Sequence, residues 1–122
     1  MMELKPINLE EKLLKFTDFM APKNIARMND YHFKLVTFQG EFVWHCHDST
    51  DEVFIVLHGD MSIAFRDGSI NLKAGEMFVV PKGVEHKPFA KKECKAMLVE
   101  PADMINTGDT RSEMTADDNM WI

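Results

Sequence analysis

The sequence predicts an all-β fold built from many short strands. Short segments rich in β-branched and aromatic side chains recur between residues 31 and 100. Turn residues separate these segments, and Asp67-Gly68 is a strong hairpin signal. At 122 residues the chain is long enough for one core and short for two. Together these features are typical of a single sandwich or barrel.

A short helix is predicted to precede the strands. Asn8 is a favourable N-cap, and Glu11 stands where the carboxylate of a capping box belongs. Apolar residues then recur at helical spacing, which predicts a helix over residues 8–16. The predicted strands cover residues 31–38, 41–47, 53–57, 61–65, 69–72, 77–80 and 96–100. The single domain thus comprises an N-terminal extension with the helix (1–30), a β-barrel (31–100) and a C-terminal tail (101–122).

The C-terminal tail combines two kinds of sequence. Residues 106–118 are polar and acidic, and the chain then ends in the apolar run Met120-Trp121-Ile122. An apolar terminus after a polar run predicts docking, either on the chain's own barrel or on a partner subunit.

Charge and composition argue against several classes of protein. The net charge of -6 argues against a nucleic-acid surface, because phosphate binding needs clustered Lys and Arg. No apolar stretch approaches the length that spans a bilayer, and the charged N-terminus is unlike a signal peptide. We therefore expect a cytoplasmic protein in which Cys46 and Cys94 are free thiols. The local basic cluster is interpreted as a solvated strand and turn; it consists of Lys87, Lys91, Lys92 and Lys95.

Three histidines and one glutamate form a candidate metal site. His45 and His47 are two residues apart, so in an extended strand their side chains share one face while Cys46 points away. Glu52 follows a polar turn and begins an apolar strand, so its carboxylate can fold back beside the histidines. His86 follows a turn that contains proline and glycine and can come from a neighbouring strand.

The ligand types favour a divalent transition metal. Imidazole and carboxylate suit Fe²⁺, Zn²⁺, Mn²⁺, Ni²⁺ or Co²⁺, whereas Mg²⁺ and Ca²⁺ prefer shells made of oxygen. Four protein ligands on a six-coordinate ion leave two positions open, and open positions are where metal-ion chemistry takes place. The ligand types do not distinguish among iron, zinc, manganese and nickel.

These residues carry a family resemblance. The first motif of the cupins resembles Gly40, His45, His47, Glu52 and Gly59, and the second resembles Gly75, Pro81, Gly83 and His86. The sequence departs from the usual pattern at two points: Gly40 is one residue closer to His45, and Ala90 replaces a common asparagine. The resemblance implies a double-stranded β-helix of jelly-roll type, with the metal at the bottom of an apolar pocket.

The resemblance implies a metal-dependent enzyme that acts on a small oxygen-rich substrate. With iron it would be a dioxygenase; with zinc or manganese the ion would act as a Lewis acid in a sugar or keto-acid isomerase. The chain also resembles small cupins related to sugar-phosphate isomerases. Isomerisation needs a proton carrier, for which Tyr31 and Glu41 are candidates, and a phosphate would need a cation such as Arg66 or Lys82. The alternative is a non-catalytic module that binds or senses a small ligand.

Several apolar side chains are candidates to line the pocket: Phe33, Phe42, Phe54, Val56 and Phe78. Because strand faces alternate, about half of the apolar strand residues should instead pack elsewhere. His32 and His58 lie outside both motifs and are interpreted as solvated or hydrogen-bonded. By resemblance we also expect a homodimer.

Overall fold

The chain folds into one short helix and seven strands in a computed structural model that describes residues 2–110, 112–116 and 119–122. The elements are α1 (Leu9–Leu13), β1 (Lys23–Met28), β2 (Tyr31–Glu41), β3 (Glu52–His58), β4 (Asp60–Phe65), β5 (Gly68–Lys73), β6 (Met77–Val80) and β7 (Lys87–Pro101). The fold is all-β with a short N-terminal helix, as predicted. No helix among the described residues is long and apolar enough to cross a bilayer.

The strands wrap into a jelly roll because β7 pairs with three different neighbours. The sheet has the order β1-β2-β7-β3-β6, and every pairing is antiparallel. The first residues of β7 also pair with β4, which continues into a hairpin with β5. One long strand thus joins both halves of the barrel, whose inner face surrounds a single main core.

Two clusters of apolar residues lie on opposite faces of this sheet. The main core fills the barrel interior, where the rings of Phe38 and Phe54 lie 6.1 Å apart. The second cluster lies outside the barrel, where Leu13 of α1 packs with Ile25 and Leu35. The helix therefore has a packing role, because it covers apolar residues on the outer face of β1 and β2.

The helix and the strand that was predicted over 41–47 are shorter than expected. Asn8 caps the helix by accepting a hydrogen bond from the Glu11 backbone N–H at 3.0 Å, but α1 ends after Leu13. Regular pairing of β2 ends at Glu41, and the chain beyond it makes an isolated bridge at His45. Backbone hydrogen bonds still join this segment to the chain around His86, from the Phe42 N–H to the Pro88 carbonyl and between His45 and His86.

Strand β1 was not predicted, and β7 begins earlier than predicted. Lys23 and Asn24 at the start of β1 are buried although they are polar, so hydrophobic periodicity did not reveal this strand. β7 begins at Lys87, nine residues before the predicted strand, because its lysine-rich part turns the corner between β4 and β3. The sheet therefore includes part of the segment that was assigned to an N-terminal extension.

The apolar C-terminus docks on the chain's own sheet. Trp121 forms a parallel bridge with Asn24, whose backbone N–H donates to the Met120 carbonyl at 2.7 Å. The Lys12 ammonium donates to the carbonyl of Ile122 at 2.8 Å, which links the terminus to α1. Residues 111, 117 and 118 of the polar run lie outside the described residues.

Candidate metal centre

The two motif segments are joined directly by backbone hydrogen bonds. The His45 N–H donates to the His86 carbonyl at 3.0 Å, and the His86 N–H donates back to the His45 carbonyl at 2.9 Å. The Gly83 N–H also donates to the His47 carbonyl at 2.9 Å. Histidines that are far apart in sequence are thereby placed side by side, with the rings of His45 and His86 4.4 Å apart.

Backbone carbonyls orient two of the three imidazole rings. Nδ1 of His45 lies 2.9 Å from the Val43 carbonyl, and Nδ1 of His86 lies 2.9 Å from the Val84 carbonyl. A carbonyl oxygen can only accept, so each Nδ1 carries the proton and each Nε2 keeps a free lone pair. This tautomer is the one that a metal ligand needs, and the partner carbonyl fixes its direction.

The four residues predicted as ligands converge in the barrel interior. One ligand atom from each of His45, His47, Glu52 and His86 lies within 4.8 Å of the others, and all four residues are buried. Glu52, the first residue of β3, directs Oε1 to within 3.4 Å of His47 Nε2 and 3.3 Å of His86 Nε2. The glutamate thus occupies the centre of the cluster.

The hydrogen bonding of His47 tests whether this cluster fits a metal ion. Its side chain is 2% exposed, and within the described residues neither ring nitrogen makes a hydrogen bond of good geometry. Buried polar atoms without partners are unfavourable and uncommon in folded proteins. A divalent ion would satisfy the lone pair of His47, and the set of three imidazoles and one carboxylate suits a borderline transition metal. The residues therefore fit a divalent metal whose identity they leave open.

The ionisation of the cluster also suits metal binding. Burial lowers the pKa of His45 to about 4, so its ring is neutral near pH 7. Burial by itself raises the pKa of Glu52, but the close approach of the His47 and His86 rings outweighs burial and holds this pKa below its ordinary value. The protein therefore presents a neutral imidazole and an ionised carboxylate, the forms that bind a cation.

We expect the metal-free protein to lose stability as the pH falls from 6.5 towards about 4. His45 has a pKa of 6.5 when unfolded and about 4 when folded, so the unfolded state binds more protons in this interval. Its contribution, about 3 kcal/mol, is present in full above pH 6.5 and is lost as the pH falls through the folded pKa. Urea unfolding at several pH values gives the free energy of unfolding as a function of pH. Between pH 6.5 and about 4, this free energy should fall less steeply for His45→Asn than for wild type or for His58→Asn. Equal slopes in all three proteins would contradict this assignment.

An apolar cavity of about 20 Å³, room for little more than one water molecule, opens beside the cluster. This volume is far below the range of about 300–1,000 Å³ that is usual for ligand pockets. The lining consists of Met20, Pro22, Val36, Phe38, Phe42, His45, Glu52, Phe54, Pro88, Leu98 and Asn106. The cavity therefore admits only a very small group beside the cluster, and its wall away from His45 and Glu52 is mainly apolar.

The residues predicted to line the pocket are divided between three locations. Phe42 and Phe54 lie in the cavity wall. Val56 is buried in the main core and Phe78 packs against it, next to Phe65, so neither lines the cavity. Phe33 was wrongly placed, because its strand parity directs it to the outer cluster beneath α1.

The remaining candidates from the sequence lie away from the centre. Tyr31 is 39% exposed, and Glu41 is an exposed residue that pairs with Lys87. His58 is also exposed and pairs with Glu10. His32 differs from its interpretation as a solvated or hydrogen-bonded residue: it is 3% exposed, and its ring packs edge-on against Trp121.

Sequence reasoning missed two charged residues beside the centre. Lys34 and Glu100 are buried side chains whose Nζ and Oε1 lie 3.0 Å apart. Burial raises the pKa of Glu100 well above its ordinary value, and the nearby Glu52 charge adds to this shift. A signal was present in the alternation of β7, because Glu100 has the same parity as the buried residues Ala96 and Leu98.

Part of the C-terminal tail also forms the site, which the sequence did not indicate. The amide of Asn106 lines the cavity and uses both of its ends: it donates to the carbonyls of Met20 and Met114 and accepts from the Ala116 N–H. Because its amide is already engaged, Asn106 fixes the tail across the cavity. The Cys46 N–H donates to Asp109 Oδ1 at 3.0 Å, which attaches the tail to the histidine segment.

Gly108 is expected to be essential for this attachment. Its φ is +56°, and an added Cβ would lie 2.2 Å from the Cys46 carbonyl oxygen. Gly108→Ala should therefore displace residues 104–110 and accelerate amide hydrogen exchange there. Gly40→Ala is the matched control, because Gly40 has φ +82° but an added Cβ meets nothing within 4 Å. The control isolates the backbone cost of about 1–2 kcal/mol, and equal exchange in the two variants would contradict the predicted collision.

The fold and the buried cluster together define a small cupin-domain protein. The cupin domain family matches residues 34–100, and the chain belongs to this family. The pairing of the two histidine segments across the barrel is the structural counterpart of the two motifs found in the sequence.

Comparison with known proteins supports the same classification. A cupin-2 domain protein of Shewanella frigidimarina is 61% identical, with a TM-score of 0.77 over 78% of this chain and 93% of that one. A Neisseria meningitidis protein is 37% identical, with a TM-score of 0.73 over 80% of this chain and 99% of that one. The uncharacterised protein YdbB of Bacillus subtilis is 42% identical over 65 residues, which cover 52% of this chain and only 58% of YdbB.

Proposed function

We propose that this chain is a metal-dependent enzyme of the dioxygenase type that acts on a small, oxygen-rich substrate. The observation that carries the proposal is the convergence of three imidazoles and one carboxylate beside an apolar cavity. A divalent ion bound by these residues would supply Lewis-acid and redox chemistry at the positions that the four side chains leave open. On a six-coordinate ion, the two open positions would accommodate one substrate oxygen and O₂.

The protein's own residues would prepare the site in three ways. The carbonyls of Val43 and Val84 hold the rings of two ligands, so little reorganisation is required when an ion binds. The Glu52 carboxylate supplies the negative charge of the ligand set. Phe42 and Phe54, together with other apolar side chains, exclude water and present a surface for the carbon skeleton of the substrate.

The cavity lining favours oxygenase over isomerase chemistry. Isomerisation requires a proton carrier beside the substrate, but the described lining residues include no acidic or basic side chain other than His45 and Glu52. Both are assigned to the metal. A dioxygenase reaction needs no such carrier in the wall, and it balances without an external reductant because both atoms of O₂ enter the product.

A phosphorylated substrate is disfavoured for a similar reason. Arg66 lies on the surface, where it stacks on Trp44 at 3.9 Å and pairs with Glu85. Lys82 is exposed, and neither cation lines the cavity. The described wall is therefore suited to an uncharged or metal-chelating molecule rather than to a sugar phosphate.

The proposal can be tested by metal analysis followed by oxygen uptake. Protein purified without oxygen should contain iron at close to one ion per chain, and the His45→Ala/His86→Ala variant should contain none. The iron form should consume O₂ when it is given catechols, enediols or 2-oxo acids as candidate chelators. Zinc, manganese or nickel as the native ion, or ligand binding without O₂ consumption, would favour a Lewis-acid enzyme or the non-catalytic binding module. The absence of any metal would overturn the proposal.

We also propose that the protein forms a homodimer through the outer face of its β3-β6 edge. Met77 and Val79 of β6 are 57% and 45% exposed, and Val53 and Ile55 of β3 lie beside them. Within the described residues β6 pairs only with β3, so its other edge is available to a second chain. Light scattering should give twice the chain mass for wild type and the mass of one chain for Met77→Glu. A wild-type monomer would refute the dimer.

A further inference from the structure

A row of charged side chains extends from the candidate metal ligand Glu52 across the inside of the barrel. Val53 of β3 pairs with Val99 of β7, so the next residues outward, Glu52 and Glu100, are neighbours on the inner face. On the other side of β7, Leu98 pairs with Lys34 of β2. Three adjacent strands therefore place a carboxyl, a second carboxyl and an ammonium group next to one another.

The second carboxyl and the ammonium group form a fully buried pair in close contact. Lys34 Nζ lies 3.0 Å from Glu100 Oε1, and the side chains are 3% and 1% exposed. Nζ also approaches the Met104 carbonyl at 3.5 Å. On the other side, the register of β3 against β7 places Glu100 beside Glu52. The pair thus adjoins the candidate metal ligand.

The stability of the barrel does not account for this pair. Removing an ammonium and a carboxyl group from water is costly, and apolar residues of similar volume often serve stability equally well. The residues between and around the two charges, such as Val36 and Leu98, are indeed apolar. A buried pair that directly adjoins a candidate metal ligand points instead to a role at the site.

We propose that Lys34 and Glu100 are positioning residues that orient the Glu52 carboxylate and thereby set the affinity and geometry of the metal centre. The proposal rests on the function inferred above, because it requires that Glu52 bind a metal. Lys34 holds Glu100 in place from β2, and Glu100 limits the directions that the Glu52 carboxylate can adopt. Neither residue belongs to the group of four whose ligand atoms converge.

Cobalt is a suitable probe, because the absorption spectrum of Co²⁺ reports its coordination geometry independently of any turnover. Affinity would be measured by competition with a chelator in wild type, Lys34→Met, Glu100→Leu and Glu100→Gln. We expect Lys34→Met and Glu100→Leu to bind Co²⁺ about 10- to 100-fold more weakly, the usual effect of losing a partner of a metal ligand, and to alter its spectrum. Glu100→Gln keeps the shape and hydrogen bonding of the side chain and should recover most of the affinity.

Glu41→Gln and Lys87→Met are matched controls, because they remove the same types of side chain from a partly exposed ion pair of β2 and β7. Both should bind Co²⁺ as wild type does. If Lys34→Met and Glu100→Leu lose only unfolding stability while Co²⁺ affinity and spectrum stay unchanged, the pair is structural and the inference is wrong. If one of these two variants fails to fold, the other carries the test: weaker Co²⁺ binding with an altered spectrum supports the inference, and wild-type affinity and spectrum refute it. Failure of wild type itself to bind Co²⁺ would refute the proposed function.

Discussion

Replacing His47 by alanine is expected to remove the metal while the barrel stays folded. The His47 ring is one of four groups whose ligand atoms lie within 4.8 Å of one another. Loss of an outer partner of a ligand already weakens metal binding about 10- to 100-fold, so loss of a ligand should exceed about 100-fold. The ring nitrogens of His47 make no hydrogen bond of good geometry among the described residues, so its removal leaves no broken partner. Metal content by mass spectrometry and the circular dichroism spectrum would measure the two effects separately.

His58→Ala is the matched control for this experiment. His58 lies at the end of β3 but is exposed and pairs with Glu10, away from the barrel interior. The control should keep the full metal content of wild type. Equal occupancy in wild type and His47→Ala would show that His47 is not a ligand, whereas loss of the folded spectrum in the variant would show that the barrel depends on this ring.

The metal centre was predictable from sequence because its geometry depends on local rules. Alternation along an extended chain places His45 and His47 on one face even where no regular strand forms. In the structure this segment forms an isolated bridge at His45 instead of a strand. Glu52 begins an apolar strand, and that position was evident from the polar turn before it. The assembly of these parts around His86 required the resemblance, because contacts between distant segments are not contained in local patterns.

Features that depend on long-range contacts were not predictable. Alternation along an extended strand puts Phe78 and Val80 on one face, but only the packed barrel shows that this face is the inner one. Phe33 was predicted to line the pocket for the same reason: the sequence does not show which face of its strand is the inner one. The sequence did not indicate that Lys34 is buried, because a lysine is rarely buried without a charged partner. That partner, Glu100, lies 66 positions further along the chain.

The C-terminal tail shows why composition alone misjudged part of the site. Its polar and acidic residues are typical of a solvated segment. In the fold, however, Asn106 and Asp109 use their side chains to bond backbone groups of the barrel. Polar residues here act as attachment points, a role that depends on which carbonyls and amides the folded barrel leaves available.

Phe54→Ala should have the opposite effect to His47→Ala, with a large loss of stability and little loss of metal. Phe54 is 2% exposed and lies between the rings of Phe38 and His86, at 6.1 and 6.0 Å. Truncation of a buried phenylalanine costs about 3–5 kcal/mol, and the sheet around it cannot easily close the space. All four ligand side chains remain, so metal content at saturating metal should stay near that of wild type. Urea unfolding of the metal-free proteins, with the 46% exposed Phe19 replaced by alanine as the control, measures the loss. A loss of unfolding free energy no greater than that of the control would show that Phe54 is not central to the core. Loss of metal in a folded Phe54→Ala protein would show that the aromatic wall is needed for metal binding in addition to the four ligands.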